Sequence, residues 1–105
     1  MYVDKDILQF GSRVIRPFDK DLVQPSSIDV TLDKTFYGFD SDSPENVVYP
    51  GRSNDDFFTK IEVPKGSSLM LKSKGFALAS TFEHFSIPEN MAARFEGKSS
   101  LGRLG

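Results

Sequence analysis

Hydrophobic and polar residues alternate along this chain in short runs, and most of the runs have the period of strands. From Ile28 the pattern sets Ile28, Val30 and Leu32 against Asp29, Thr31 and Asp33, which predicts a half-buried strand. Residues 57–63 and 69–71 read as further strands. In 76–82, Phe76, Leu78, Ser80 and Phe82 alternate with Ala77, Ala79 and Thr81, so both faces are small or apolar and the strand is expected to be covered on both sides. Met91, Ala93 and Phe95 against Ala92, Arg94 and Glu96 predict one more strand over 91–96. Near the N-terminus, Ile7, Leu8 and Phe10 predict a short helix, with Asp4 as its cap and Gly11 placed to end it. Arg16-Pro17-Phe18 reads as extended, because the residue before proline avoids the helical region. Turns are expected at 24–27, 64–67, 72–75 and 87–90, and a polar surface excursion at 40–56. Short strands between turns at this spacing argue for an all-β sandwich or barrel.

Composition narrows the function. The chain has 105 residues, the size of one small domain, and 38% of them are hydrophobic, ten being Phe. Thirteen Lys plus Arg against fifteen Asp plus Glu give a net charge of -2. That balance argues against a nucleic-acid partner, which needs a basic face. No apolar run approaches a membrane span, and no basic-then-apolar leader is visible, so a cytoplasmic location is expected. There is no Cys and a single His, His84, which excludes disulfides, cysteine nucleophiles and thiolate metal sites.

The segment 97–105 stands apart. A strand pattern ends, Gly97 gives freedom, and Lys98, Ser99, Ser100 and Arg103 bring two cations and two hydroxyls within six residues. Serines start helices well, and a helix start offers unpaired N–H groups where a phosphate is at home. The same residues also suit a capped surface helix with no ligand, and the segment has neither a Walker nor a GxGxxG pattern. Elsewhere the candidates are weaker. His84 reads as solvent-facing or locally bonded. Asp29 and Asp33 lie on the polar face of the expected strand, where a cross-strand or interface hydrogen bond is favoured over binding a cation. Glu83, Glu89 and Glu96 are scattered, and Glu96 points away from the segment that follows it.

Three motifs then carry a resemblance. The run 22–33, Leu-Val-Gln-Pro-Ser-Ser-Ile-Asp-Val-Thr-Leu-Asp, resembles the N-terminal signature of dCTP deaminases. Residues 76–83 followed by Ile87-Pro88-Glu89-Asn90 resemble a second family stretch, and 96–105, Glu-Gly-Lys-Ser-Ser-Leu-Gly-Arg-Leu-Gly, resembles the family's phosphate-binding motif. The resemblance implies a mainly β, dUTPase-like barrel or β-clip, incomplete over residues 1–105, with a short N-terminal helix and a short motif helix at the C-terminus. It implies hydrolytic deamination of dCTP to dUTP and ammonia, without zinc, feeding thymidylate synthesis. Lys98, Ser99, Ser100 and Arg103 would bind the triphosphate, with Ser99 and Arg103 also lining the cytosine end and holding the attacking water as catalytic residues. Mg²⁺ would accompany the triphosphate, bound through its oxygens and water. A homotrimer and dTTP as a feedback inhibitor are further implications.

The family's general-base Glu lies downstream of the SSLGRLG motif and has no counterpart in this sequence. The expectation is therefore that residues 1–105 are the N-terminal part of a single dCTP deaminase-like domain, folding poorly and inactive alone. A bifunctional enzyme that also hydrolyses dUTP to dUMP, a non-catalytic nucleotide-binding module and a ligand-free jelly roll are the alternatives.

Overall fold

The structure is a computed structural model that describes residues 1–39, 51 and 58–104. In order, the elements are α1 (Asp4–Val14), β1 (Ile15–Arg16), a 3-10 turn (Lys20–Leu22), β2 (Leu32–Phe39), β3 (Phe58–Glu62), β4 (Ala77–Thr81), β5 (His84–Phe85) and α2 (Ser99–Gly102). The protein is mainly β, with two antiparallel sheets and no closed barrel among the described residues. They fall into two units, Met1–Ser27 with His84–Gly105, and Ile28–Glu83. The described helices include none long and apolar enough to cross a membrane.

The first unit is built on α1. Its apolar residues recur at helical spacing, so Ile7, Gly11 and Val14 share the buried face, and Ile15 follows, buried at 4% exposure. The helix is capped differently from expectation. Asp4 is its first residue, and the cap is Val3, whose N–H donates to Asp6 Oδ2 at 3.0 Å. Asp4 and Asp6 in the first turn and Arg13 in the last complement the helix dipole. Leu8, expected on the buried stripe, is exposed, while Phe10 meets Tyr2 edge to face at 5.0 Å between ring centroids.

Gly11 does not end the helix, which runs one turn further. Its role is close approach: a Cβ at Gly11 would overlap the Phe18 ring, lying 2.6 Å from Cζ. Alanine is the better helix former by about 1 kcal/mol, but overpacking a filled site costs about 1–3 kcal/mol. Gly11→Ala is therefore expected to be net destabilising, seen as a lower urea midpoint with an unchanged slope; a raised midpoint would show that Phe18 moves aside freely.

After α1 the chain enters β1, which pairs antiparallel with β5, Ile15 opposite Phe85 and Arg16 opposite His84. Ser86 N–H extends this ribbon by donating to Val14 O at 2.7 Å. The turn at 24–27 forms as expected, with Gln24 N–H donating to Ser27 O at 2.8 Å. So does the turn at 87–90, closed by Met91 N–H on Pro88 O at 3.0 Å. The expected strand over 91–96 does not form. A strand needs a ladder partner, and among the described residues none pairs with this segment, which is mostly exposed.

The second unit is a three-stranded sheet in the order β3-β2-β4. β2 pairs with β3 from Thr35 opposite Glu62 to Phe39 opposite Phe58, and with β4 from Leu32 opposite Thr81 to Gly38 opposite Ala77. Here the sequence expectation needs three corrections. The strand expected from Ile28 begins only at Leu32, and the predicted faces do not hold: Leu32 is 66% exposed, while Asp29 and Asp33 are half-buried. The register shifts between Leu32 and Phe36, and that break uncouples the side chains before it from the alternation after it. Residues 69–71 form no strand, and β4 is not covered on both sides, since Phe76, Leu78 and Phe82 are exposed. The turns at its ends match expectation: Ser67 N–H donates to Pro64 O at 3.0 Å and Gly75 N–H to Lys72 O at 2.8 Å. Gly66 takes a positive φ of 85° that side chains resist. The polar excursion at 40–56 lies, apart from Gly51, outside the described residues.

Candidate functional site

The candidate site is a single turn of chain. Gly97 sits in open space, and Lys98 is extended, with φ -80° and ψ 129°, which makes it the cap of α2. The Lys98 carbonyl accepts from Leu101 N–H at 3.1 Å and from Gly102 N–H at 3.0 Å, and Ser99 O accepts from Arg103 N–H at 3.0 Å. The helix therefore starts at Ser99, as the serines predicted, and Arg103 is its C-terminal cap. This winding leaves the first N–H groups, those of Ser99 and Ser100, without an intrahelical partner. It also places Ser99 and Arg103 four apart and Ser100 and Arg103 three apart, so a hydroxyl and a guanidinium share a face.

All four predicted residues, Lys98, Ser99, Ser100 and Arg103, are exposed. Within 97–104 the sequence places two cations and no acid. The nearest carboxylate in sequence, Glu96, is turned onto Arg94, with Arg94 Nε 3.0 Å from Glu96 Oε1. Chemically, the turn offers a point charge, a fork of guanidinium donors, two hydroxyls and backbone N–H groups, the donor set that suits an anion.

One cavity of about 400 Å³ in the first unit is lined by Phe10, Arg13, Val14, Ser86, Asn90 and Met91 among others. Another of about 890 Å³ in the second unit lies beside the sheet, walled by Leu32, Phe36, Leu69, Leu71 and Phe82. Neither is lined by Lys98, Ser99, Ser100 or Arg103.

His84 is exposed in β5, opposite Arg16. Asp33 Oδ1 accepts from Lys34 N–H at 2.8 Å, a bond to the next residue and not the cross-strand or interface bond expected for it. Among the described residues no three His, Cys, Asp or Glu are gathered as a metal site would need.

Glu83 is the residue that sequence reasoning missed. At 7% exposure it is the one buried charged residue among those described. Its carboxylate accepts from Thr31 N–H at 3.1 and 3.0 Å and from the Thr31 hydroxyl at 2.8 Å. The Thr31 N–H is thus given to a side chain just before β2 begins, which accounts for the late start of that strand. No local signal marks Glu83, because its partner is 52 residues away and only the strand register brings them together.

Comparison with known proteins places this geometry in context. Residues 3–105 match the family model described as dCTP deaminase-like. A protein of Corynebacterium diphtheriae named "dCTP deaminase, dUMP-forming" is 45% identical over 108 residues, covering 100% of this chain and 57% of that protein. A protein of the same name from Salinispora tropica is 46% identical over 105 residues, covering 97% and 54%. One from Mycobacterium leprae, again so named, is 45% identical over 105 residues, covering 97% and 55%. The chain thus spans little more than half the length of the curated relatives it matches.

Proposed function

The chain belongs to the dCTP deaminase-like family, and from that premise we propose that the protein hydrolyses dCTP to dUMP. Two waters are consumed. One replaces the amine at C4 of cytosine and releases ammonia; the other cleaves between the α- and β-phosphates and releases diphosphate. The endpoint differs from the dUTP that the sequence resemblance suggested. The observation that carries it is the shared name of the relatives, each "dUMP-forming", which favours the bifunctional alternative.

In this reading Lys98, Ser100 and the N–H groups at the start of α2 bind the triphosphate, which needs concentrated positive charge. Ser99 and Arg103, on one face of the turn, orient the attacking water and stabilise charge developing at the pyrimidine. The water's proton also needs a general base, and the nearest carboxylate in sequence, Glu96, is engaged in an ion pair with Arg94. Mg²⁺ would accompany the nucleotide; Lys98, Ser99, Ser100 and Arg103 include no carboxylate, so it would be bound through the nucleotide's own oxygens and water and would neutralise phosphate charge there. A cytoplasmic homotrimer, with dTTP as inhibitor, completes the proposal, and light scattering reads the trimer directly.

The test is a product balance. In a protein extended to the length of its relatives, with dCTP as the only nucleotide, ammonia, diphosphate and dUMP are expected to appear in equal amounts. Steady accumulation of dUTP would overturn the endpoint, and absence of ammonia would overturn the deamination itself.

A further inference from the structure

The cavity of about 400 Å³ in the first unit takes no part in the catalytic reading. One of its walls is α1, where Phe10, Arg13 and Val14 recur at the i, i+3, i+4 spacing of one helix face. The other is the segment that follows β5, through Ser86, Asn90 and Met91. Backbone hydrogen bonds hold both walls. Ser86 N–H donates to Val14 O at 2.7 Å, which ties the end of α1 to the start of that segment. Met91 N–H donates to Pro88 O at 3.0 Å, which closes the turn that carries Asn90. The recess is therefore formed before any ligand arrives, as small-molecule sites usually are.

Its chemistry is divided. Phe10, Val14 and Met91 supply a ring, an aliphatic group and a thioether, while Arg13, Ser86 and Asn90 supply a guanidinium, a hydroxyl and an amide. No Asp or Glu lines the cavity. Among the described residues, those three polar side chains have no hydrogen-bond or ion-pair partner. A guanidinium without a carboxylate, beside an apolar recess, complements a ligand divided in the same way, with an apolar body and an anionic head. The planar fork of arginine matches a carboxylate through two parallel hydrogen bonds. A thioether and a phenyl ring favour an aromatic body. A cavity of about 150 Å³ is enough for benzene, so 400 Å³ admits a fused pair of rings with its charged group. We propose that this cavity binds a small aromatic carboxylate, its rings against Phe10, Val14 and Met91 and its carboxylate on Arg13, with Ser86 and Asn90 as further donors. The assignment rests on the first unit alone and is independent of the catalytic reading.

Two-dimensional ¹H–¹⁵N NMR on a protein extended to the length of its relatives tests it. The probe is 2-naphthoate, and its neutral counterpart is 2-naphthalenemethanol, which keeps the rings and lacks the charge. Saturable shifts are expected at the Ser86, Asn90 and Met91 amides, with intermolecular NOEs from the naphthalene protons to the Phe10 ring and the Met91 methyl. The neutral counterpart should bind at least about tenfold more weakly, the factor for a hydrogen bond to a charged group. Arg13→Ala should weaken 2-naphthoate by the same factor and leave the neutral counterpart unchanged. Arg13 is exposed, so its replacement keeps the fold, which an unchanged thermal midpoint verifies. The comparison of the two probes on the parent protein needs no variant at all. Absence of saturable shifts at these amides, or shifts centred on residues 99–103, would overturn the assignment of the cavity. Equal affinity for the two probes, or unchanged affinity for 2-naphthoate in Arg13→Ala, would overturn the role of the guanidinium and with it the class of ligand.

Discussion

Replacing Arg103 with alanine in the active enzyme is expected to lower kcat for ammonia release about 10²–10³-fold while the apparent KM for dCTP changes little. The expectation follows from where the guanidinium sits. It is exposed, it shares a face of the turn with Ser99, and the neighbouring carboxylate of Glu96 is paired with Arg94. A donor aimed at charge that develops only in the transition state contributes about 3–4 kcal/mol there and little in the ground state. Arg103→Lys should recover little, because an ammonium is a point charge without the planar fork. Lys98→Ala should show the complementary pattern, a raised KM with kcat largely kept, since a charge on the triphosphate acts in both states. Steady-state kinetics across the three variants separates the roles, and the opposite split between Lys98 and Arg103 would reverse the assignment.

Glu83→Ala is expected to destabilise the fold by about 3 kcal/mol, the largest effect foreseen for any substitution outside the candidate site. Two mechanisms add. The Thr31 N–H and hydroxyl lose their acceptor, at about 1–3 kcal/mol for each donor left unsatisfied away from water, and a buried side chain leaves a void. Thr31 is itself exposed, so water recovers part of the first term and the sum stays near the lower bound. Glu83→Gln keeps one acceptor and most of the volume and should cost about half as much. Urea denaturation followed by circular dichroism measures both, and an unchanged midpoint for Glu83→Ala would remove Glu83 from the account of how the second unit is held.

The candidate site was readable in the chain because it is local. Lys98, Ser99, Ser100 and Arg103 lie within six residues, and serines after a flexible glycine start a helix wherever that helix is. The turns at 24–27, 64–67, 72–75 and 87–90 were readable for the same reason, since proline, glycine and serine set backbone angles on the spot. The strands were only partly readable. Alternation predicted strands at 58–62 and 77–81 within a residue or two, but it also predicted them at 69–71 and 91–96, where none forms.

By itself, then, the sequence determined the mainly β class, the N-terminal helix, the turns and the cationic serine turn, each a matter of neighbours within about four residues. Tertiary structure alone decided which alternating segments gain a ladder partner, that β2 begins at Leu32, that Gly11 lies under Phe18, and that Glu83 is buried on Thr31. Those outcomes depend on groups brought together from distant parts of the chain. Hydrogen bonds and burial reward such contacts only once the register exists, and no run of neighbouring residues encodes it.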